Sequence, residues 1–401
     1  MKISSVVKNN LCVSCGLCAG VCPKKCISSL FDNGSYLPTI DENSCVNCGI
    51  CHKICPGKSA DYSTVKSENI LFGKAIKCLA VQTKNQQILF QSASGGVITT
   101  LIKNLLHDKI FDAAFLVDTY NHENETFTKI YSAESDFKNT PKSRYITVNQ
   151  SHAARYMLEN PDKKLILVGT SCFIQGILKI ISQFKLNREN YFLAGLFCDK
   201  TMNYNVWAYF KKFLPLDNLH FRDKTPNGYP GDIALESQGK KYFLPRKFRM
   251  KVKDFFCVER CLYCIDKLNQ FADISFGDNY TETPLPVQIN RKAGTSNVII
   301  RTALGAEIFN HYLEKFFICE LPAEEIYKSQ HVDGRIKNFI FGEYKSAQVG
   351  YSINKVPPKF SYSIYENPKM RREYESLMIK QKMGHEKFFP SVAVEIWKVI
   401  G

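Results

Sequence analysis

The 401-residue chain has room for about two or three domains, and its 45% hydrophobic share is ordinary for a protein with a full core. A net charge of +15, from 53 Lys and Arg against 38 Asp and Glu, comes with no helix-turn-helix, RNA-binding or basic-zipper signature, so nucleic acid is not the expected partner. Acidic redox proteins, phosphorylated cofactors or plain solubility account for the charge. Sixteen cysteines in a chain this long do not suit a secreted disulfide scaffold. Met1–Leu11 has no apolar h-region, and the apolar stretch Leu165–Ile181 is broken by Gly, Thr, Ser, Gln and Lys, so no membrane span is expected. The expected location is the cytoplasm, where thiols stay reduced.

Residues 1–58 carry one cysteine pattern twice: Cys12-x2-Cys15-x2-Cys18-x3-Cys22-Pro23 and Cys45-x2-Cys48-x2-Cys51-x3-Cys55-Pro56. This is the spacing of bacterial two-cluster ferredoxins, in which three thiolates of a run hold one [4Fe–4S] cube and the fourth reaches the other. The pattern assigns Cys12, Cys15, Cys18 and Cys55 to one cluster, and Cys45, Cys48, Cys51 and Cys22 to the second. Zinc knuckles or a disulfide module would not show this run twice. Asn33-Gly34, between two short apolar stretches, predicts a hairpin turn. Residues 59–74 are polar and read as a linker.

Beyond residue 75 the chain alternates strands and helices. Strands are expected at Ala75–Gln82, Ala113–Val117, Lys164–Gly169 and Tyr191–Phe197, with helices at Gly96–His107, Phe173–Ser182 and around Tyr204–Phe213. Such alternation predicts an α/β domain with a mixed, largely parallel sheet behind the α+β ferredoxin-like module. Residues 217–245 look β-rich, with turn signals at Pro226-Asn227-Gly228 and Pro230-Gly231. A strand at Asn297–Arg301 and a helix at Ala303–Phe316 follow. After about Val332 the chain is basic and aromatic, punctuated by Pro357-Pro358. Extended segments and one helix near Pro368–Lys382 are expected there.

A second set of cysteines sits at strand ends. Cys172 follows the strand ending in Gly169, and Cys198 closes the strand beginning at Tyr191. In open α/β sheets the carboxyl ends of strands gather ligands, so these two can be neighbours. Cys261-x2-Cys264 supplies two more sulfurs, and Cys257 is a further thiol of open role. On spacing alone the set reads as a third cluster, as packed thiols, or, for Cys261 and Cys264, as half a zinc site or a redox dithiol. Cys26, Cys78 and Cys319 read as packed thiols. Ser92, Ser94, Gly95 and Gly96 precede a helix whose free N–H groups would suit a pyrophosphate, or whose start is simply Ser-capped. There is no G-x-G-x-x-G fingerprint, Walker A loop, H-E-x-x-H or G-x-S-x-G motif.

Ser92-Ala-Ser-Gly-Gly96, Gly169-Thr-Ser-Cys172, Phe221-Arg-Asp-Lys224, Cys261-Leu-Tyr-Cys264-Ile-Asp266 and Ala272-Asp-Ile-Ser-Phe-Gly-Asp278 occur in that order. Together they resemble the family of coenzyme F420 hydrogenase and dehydrogenase beta subunits, over the chain up to about Phe316. The resemblance implies a catalytic domain in two parts, 75–160 and 161–330, followed by an extension, 331–401. It implies a third [4Fe–4S] cluster on Cys172, Cys198, Cys261 and Cys264, and FAD at the Ser-Gly-Gly segment. One departure is visible: the family commonly has proline where this chain has Ser171, which loosens the turn before Cys172. Ser143-Arg144-Tyr145 resembles a family Ser-Lys-Tyr stretch. Arg144, Arg222 and Lys224 are candidate contacts to phosphate or substrate, and Gly294-Thr295-Ser296 is either a further contact or a turn before a strand.

These features describe an iron–sulfur flavoprotein oxidoreductase. It would pass electrons between a ferredoxin-like or other redox partner and a small-molecule or deazaflavin substrate such as coenzyme F420. Two alternatives stand beside it: ferredoxin-dependent reduction of an unrelated organic substrate, and a non-catalytic electron-transfer subunit of a larger complex.

Overall fold

The computed structural model describes residues 1–65, 67–117, 126–137, 142–357 and 368–385. Within the C-terminal extension, 358–367 and 386–401 fall outside the described residues.

The N-terminal module is small and held by few elements: α1 (Ser4–Lys8), α2 (Leu17–Gly20), the hairpin β1 (Ile27–Asp32) and β2 (Ser35–Ile40), and α3 (Ile50–Lys53). Asn33 and Gly34 both take positive φ, 45° and 80°, between the paired ends Asp32 and Ser35. That is the two-residue turn the Asn-Gly signal predicts. The module does not hang on a tether. Leu17, Val21 and Ile54 are at most 1% exposed and enter the same apolar cluster as the following domain's helices Ser151–Glu159 and Ser171–Phe184. Burying each such side chain contributes roughly 1.5–3 kcal/mol, so three of them fix the module against the domain.

Residues 59–74, expected to be a polar linker, are packed in part, with Asp61, Ser63, Thr64, Glu68 and Asn69 exposed. β3 (Ala60–Asp61) pairs in parallel with a C-terminal strand, and Tyr62, Ile70, Leu71 and Phe72 are buried. The apolar triplet at 70–72 overrides the polar average of the segment, because burial is decided residue by residue.

The domain that follows is built on an eight-stranded sheet. In chain order it contains β4 (Lys77–Thr83), α4 (Gln86–Gln91), α5 (Val97–His107), β5 (Ala113–Val117), β6 (Thr128–Tyr131), α6 (Ser151–Glu159), β7 (Leu165–Gly169), α7 (Ser171–Phe184) and β8 (Tyr191–Leu196). A lobe of α8 (Asn205–Phe210), β9 (Asn218–Asp223), β10 (Asp232–Ser237), β11 (Lys240–Leu244) and α9 (Arg246–Phe256) interrupts it. β12 (Ile274–Asp278), β13 (Ser296–Ile300), α10 (Ala303–His311) and β14 (Phe316–Glu320) then complete the sheet. α11 (Ala323–Ser329), α12 (Arg335–Val349), β15 (Asn354–Lys355) and α13 (Pro368–His385) follow.

The sheet order is β14-β4-β13-β12-β8-β7-β5-β6. Its centre, β5–β7–β8–β12, is parallel, and the four remaining pairings are antiparallel. The sheet is mixed, as the strand–helix alternation predicts. Parallel pairing is confined to strands joined by helical crossovers, or by the lobe in the case of β8 and β12. Alternation sorts its side chains: Phe115, Leu167 and Leu193 join the cluster under α6 and α7, whereas Ala114, Ile166 and Phe192 join the one under α5 and α10.

Three expectations differ from what is observed. The helix from Ala303 stops at His311, and Phe316–Glu320 is an edge strand whose Ile318 pairs with Val81. α9 carries residues given no helix by the periodicity reading. Beyond Val332 the chain is not mainly extended: α12 is a 15-residue helix, held by tertiary packing of Phe339 and Phe341.

Candidate functional site

The cysteines assemble into three groups. Cys12, Cys15, Cys18 and Cys55 lie within electrostatic reach of one another, and burial pushes all four thiols up, Cys12 to about 12. Cys55, from the second run, thus lies beside the thiols of the first. Cys22, Cys45, Cys48 and Cys51 line one small cavity between the two runs, and Cys48 is exposed. Cys26 is not an isolated packed thiol. It faces the same cavity with its sulfur 3.4 Å from that of Cys22.

The third group is Cys172, Cys198, Cys261 and Cys264, far apart in sequence and mutually coupled in space. Cys172 lies in the first turn of α7, Cys198 follows β8, and Cys261 and Cys264 lie in and after the 3-10 turn Glu259–Tyr263. Burial pushes Cys198 up to about 12. Each group is cysteine alone, the donor set of iron–sulfur sites. Among the described residues, no three His, Cys, Asp or Glu side chains converge as one metal ion requires. A four-iron cube spreads its thiolates over four irons, so a wider set fits it. Cys15 also senses Cys172, so the first and third groups adjoin.

Polar side chains fix the loops that bear these thiols. Arg155 Nη2 donates to the Cys22 carbonyl at 2.7 Å, Lys179 Nζ to that of Cys55 at 3.1 Å, and Arg260 Nε to that of Gly57 at 2.8 Å. Asn269 Nδ2 ties the ends of β7 and β8 together through Gly169 and Leu196. The Ser171 hydroxyl donates to the buried Asp266 carboxylate, joining the Cys172 loop to the Cys264 loop. Burial holds the Asp266 carboxyl above its ordinary value. Ser171 thus exchanges the stiffness of a proline for a hydrogen bond at the first residue of α7. Cys257, beside Cys261, has its sulfur held by Gln381 Nε2 of α13 at 3.1 Å.

The Ser-Gly-Gly segment leads into α5. A Cβ on Gly95 would lie 2.5 Å from the Val81 carbonyl and 2.8 Å from Ser296 N. Gly96, at φ +75°, would bring its own to 2.7 Å from Thr83 Cγ2. Both positions therefore require glycine. Ser94 Oγ donates to the Thr295 carbonyl at 2.9 Å and receives a bond from Ser296 Oγ at 3.2 Å. Gly294-Thr295-Ser296 thus braces the loop as it enters β13. Ser92 Oγ is buried and finds no partner among the described residues. An orphaned hydroxyl beside a helix start with no side-chain cap suits an anionic oxygen.

Two cations expected at phosphate or substrate are already engaged. Arg222 donates to both Asp278 oxygens at 2.9 and 2.7 Å, to the Pro230 carbonyl at 2.8 Å and to the Ala93 carbonyl at 2.7 Å. Lys224 Nζ donates to the carbonyls of Leu89, Ser94 and Ala293 at 3.1, 3.1 and 2.6 Å. With three donors and three acceptors, the ammonium is full. Burial and the Arg222 charge push it down to about 8. These residues clasp the Ser-Gly-Gly loop from the lobe side. Arg144 lines the open cavity, as Arg222 does.

That cavity, about 1300 Å³, runs from Ser92, Ser94 and Gly96 to Cys15, Cys172, Cys198 and Cys261. It exceeds the roughly 300–1,000 Å³ of a drug-sized pocket. Arg246, Arg249 and Lys253 of α9 add cationic wall that the sequence reading did not single out. Their spacing, three and four residues apart, puts them on one helical face, and this was the available signal. Lys253 Nζ sits 4.7 Å from the centre of the Tyr145 ring.

Residues 78–154 match the N-terminal model, and 162–325 the C-terminal model, of the coenzyme F420 hydrogenase/dehydrogenase beta subunit. A subunit of the F(420)H(2) dehydrogenase of Methanosarcina mazei is 24% identical over 341 residues, 80% of this chain and 88% of that one. The beta subunit of the coenzyme F420 hydrogenase of Methanosarcina barkeri is 20% identical over 265 residues, 65% of this chain and 86% of that protein. A chain in a structure of the F420-reducing [NiFe] hydrogenase complex from Methanosarcina barkeri shares the fold, with a TM-score of 0.54 and 19% identity, over 72% of this chain and 98% of that one. Among the described residues, no helix is long and apolar enough to cross a membrane.

Proposed function

The chain belongs to the family of coenzyme F420 hydrogenase/dehydrogenase beta subunits, and we propose that it is an iron–sulfur flavoprotein oxidoreductase whose substrate is a deazaflavin of the coenzyme F420 class. One observation carries the proposal: a single cavity joins the Ser-Gly-Gly loop to the third cysteine group. Cys12, Cys15, Cys18 and Cys55 would hold one [4Fe–4S] cluster, Cys22, Cys45, Cys48 and Cys51 a second, and Cys172, Cys198, Cys261 and Cys264 a third. Ser92, Ser94, Gly95 and Gly96 would receive the FAD pyrophosphate. When bound, the clusters carry single electrons and the flavin exchanges pairs of them with an organic substrate.

The chain's own residues supply placement and charge. Gly95 and Gly96 let backbone approach the anion, and Arg222 and Lys224 hold that loop in position. Arg144, Arg246 and Lys253 give the cavity a cationic wall that suits the phosphate and carboxylates of a deazaflavin cofactor. The second cysteine group reaches the surface at Cys48, which suits electron exchange with a ferredoxin-like partner. The relatives' names, one from an F420H2 dehydrogenase and one from an F420 hydrogenase, support the same substrate class.

The test is anaerobic purification with iron, sulfide and flavin quantification, followed by EPR of the reduced protein. About twelve irons, from three four-iron cubes, and one FAD per chain are expected. Cys55→Ser should abolish the same EPR signal as Cys12→Ser and leave that of Cys45→Ser. About eight irons would remove the third cluster, and clusters without flavin would leave the chain an electron-transfer component alone. Failure of the dithionite-reduced protein to reduce coenzyme F420 would shift the substrate to another organic acceptor.

A further inference from the structure

α12 lies beyond the residues that match the family, 162–325, and touches the third cysteine group directly. Arg335, its first residue, is 3% exposed. Its Nη1 donates to the Cys264 carbonyl at 3.1 Å. Its Nη2 donates to the carbonyls of Cys198 and Asp199 at 3.0 and 2.9 Å, and to Asp199 Oδ1 at 3.1 Å. Three residues along the same helical face, Asn338 Nδ2 donates to the carbonyls of Cys261 and Cys264, both at 3.1 Å. Two side chains of one helix therefore hold the main chain at three of the four cysteines.

Buried carbonyls need partners, and a planar fork can reach two chain segments at once. Arg335 does this between the strand-end loop after β8 and the Cys261–Cys264 turn, adding to the main-chain bonds from Val258 N to the Thr201 carbonyl and from Cys198 N to the Lys267 carbonyl on either side. Its charge is only partly compensated. The Asp199 carboxylate that faces it also faces Lys253 at 3.7 Å, and Lys267 and Lys200 act on it as well. Lys200 is itself paired with Asp254 at 2.6 Å, which leaves Arg335, Lys253 and Lys267 against the one Asp199 carboxylate.

We propose that Arg335 is a positioning residue for the third iron–sulfur site, and that its charge makes that site easier to reduce. This rests on the reading that Cys172, Cys198, Cys261 and Cys264 bind a cluster. Reduction adds one electron from a one-electron donor and moves no proton, because the guanidinium stays charged throughout. Net charge and hydrogen bonding set the potentials of such clusters.

The test compares the full-length protein with Arg335→Gln and Arg335→Lys by anaerobic EPR-monitored titration with dithionite and by iron release to a chelator. Both variants lose the fork, so both should release the third site's iron faster. Only R335Q loses the charge. Its third site should have a reduction constant about tenfold lower, which is about 59 mV for one electron, while the N-terminal sites keep theirs. R335K should keep the wild-type potential. Wild-type iron release in both variants overturns the positioning role. Full iron with an unchanged potential in R335Q, or an equal shift at all three sites, overturns the role of the charge. If R335Q is isolated without about four of its irons, positioning is supported and the charge is read from R335K, where a tenfold loss refutes it. About eight irons in the wild type would instead refute the cluster reading itself, before any variant is compared.

Discussion

Arg222→Met tests the clasp between the lobe and the Ser-Gly-Gly loop. In the native protein the Arg222 side chain is 3% exposed and that of Asp278 15%. Burial pushes the Asp278 carboxyl up, but the Arg222 charge and hydrogen bonds outweigh it and hold the group below its ordinary value. Removing one partner of a buried pair costs about 3–5 kcal/mol, because the other charge is left uncompensated. Asp278 would retain the Tyr280 hydroxyl, 2.9 Å away, and the Ala93 carbonyl would lose its donor. The native carboxylate contributes stability that is present above the unfolded value of about 3.9 and is lost as pH falls through the lower folded value. In R222M the burial remains without the cation, so the folded-state value rises above the unfolded one. Stability of the variant then falls as pH rises above the unfolded value, and its gap from the wild type widens with pH from about 3.9 upward. Trp207, buried in the same lobe, reports unfolding in anaerobic urea titrations. All other residues are common to both proteins, so the difference isolates the pair. The double variant R222M/D278N should recover about 2 kcal/mol relative to R222M. A gap under about 1 kcal/mol, or one that stays flat across this pH range, refutes the reasoning.

Ser171→Ala should cost about 1–3 kcal/mol, since a buried carboxylate loses a donor, and should speed loss of about four irons to a chelator from the third site. Ser171→Pro should keep the backbone, because Ser171 is the first helical residue, where proline is tolerated, and Thr170 before it is extended at φ −74° and ψ 168°. Its iron release should match that of Ser171→Ala, and slower release would show that stiffness can replace the hydrogen bond. Gly95→Ala places a methyl against backbone on two sides and should cost about 1–3 kcal/mol. Absorbance after anaerobic purification should show the flavin depleted while iron is retained, and full flavin occupancy would refute the loop's assignment.

Features that repeat at fixed short intervals were readable from the chain alone. The two cysteine runs, the Asn33-Gly34 turn and the strands Ala113–Val117 and Leu165–Gly169 were legible because spacing and alternation are local properties of the chain. The chemistry of the third cysteine group was legible only as far as residue type allowed. Cys172, Cys198 and Cys261-x2-Cys264 are separated by whole strands and helices, and only the closing of the parallel sheet brings their loops together. Arg222 and Lys224 show the converse. Their type suggests a phosphate, but the fold surrounds each with carbonyls and a carboxylate before any ligand arrives. Arg335 and Asn338 carried no motif, because their role is to satisfy main-chain groups, and main-chain carbonyls are the same in every sequence. Which of them become buried without a partner is decided by packing alone. That is why the helix that roofs the third cysteine group came into view only in the tertiary structure.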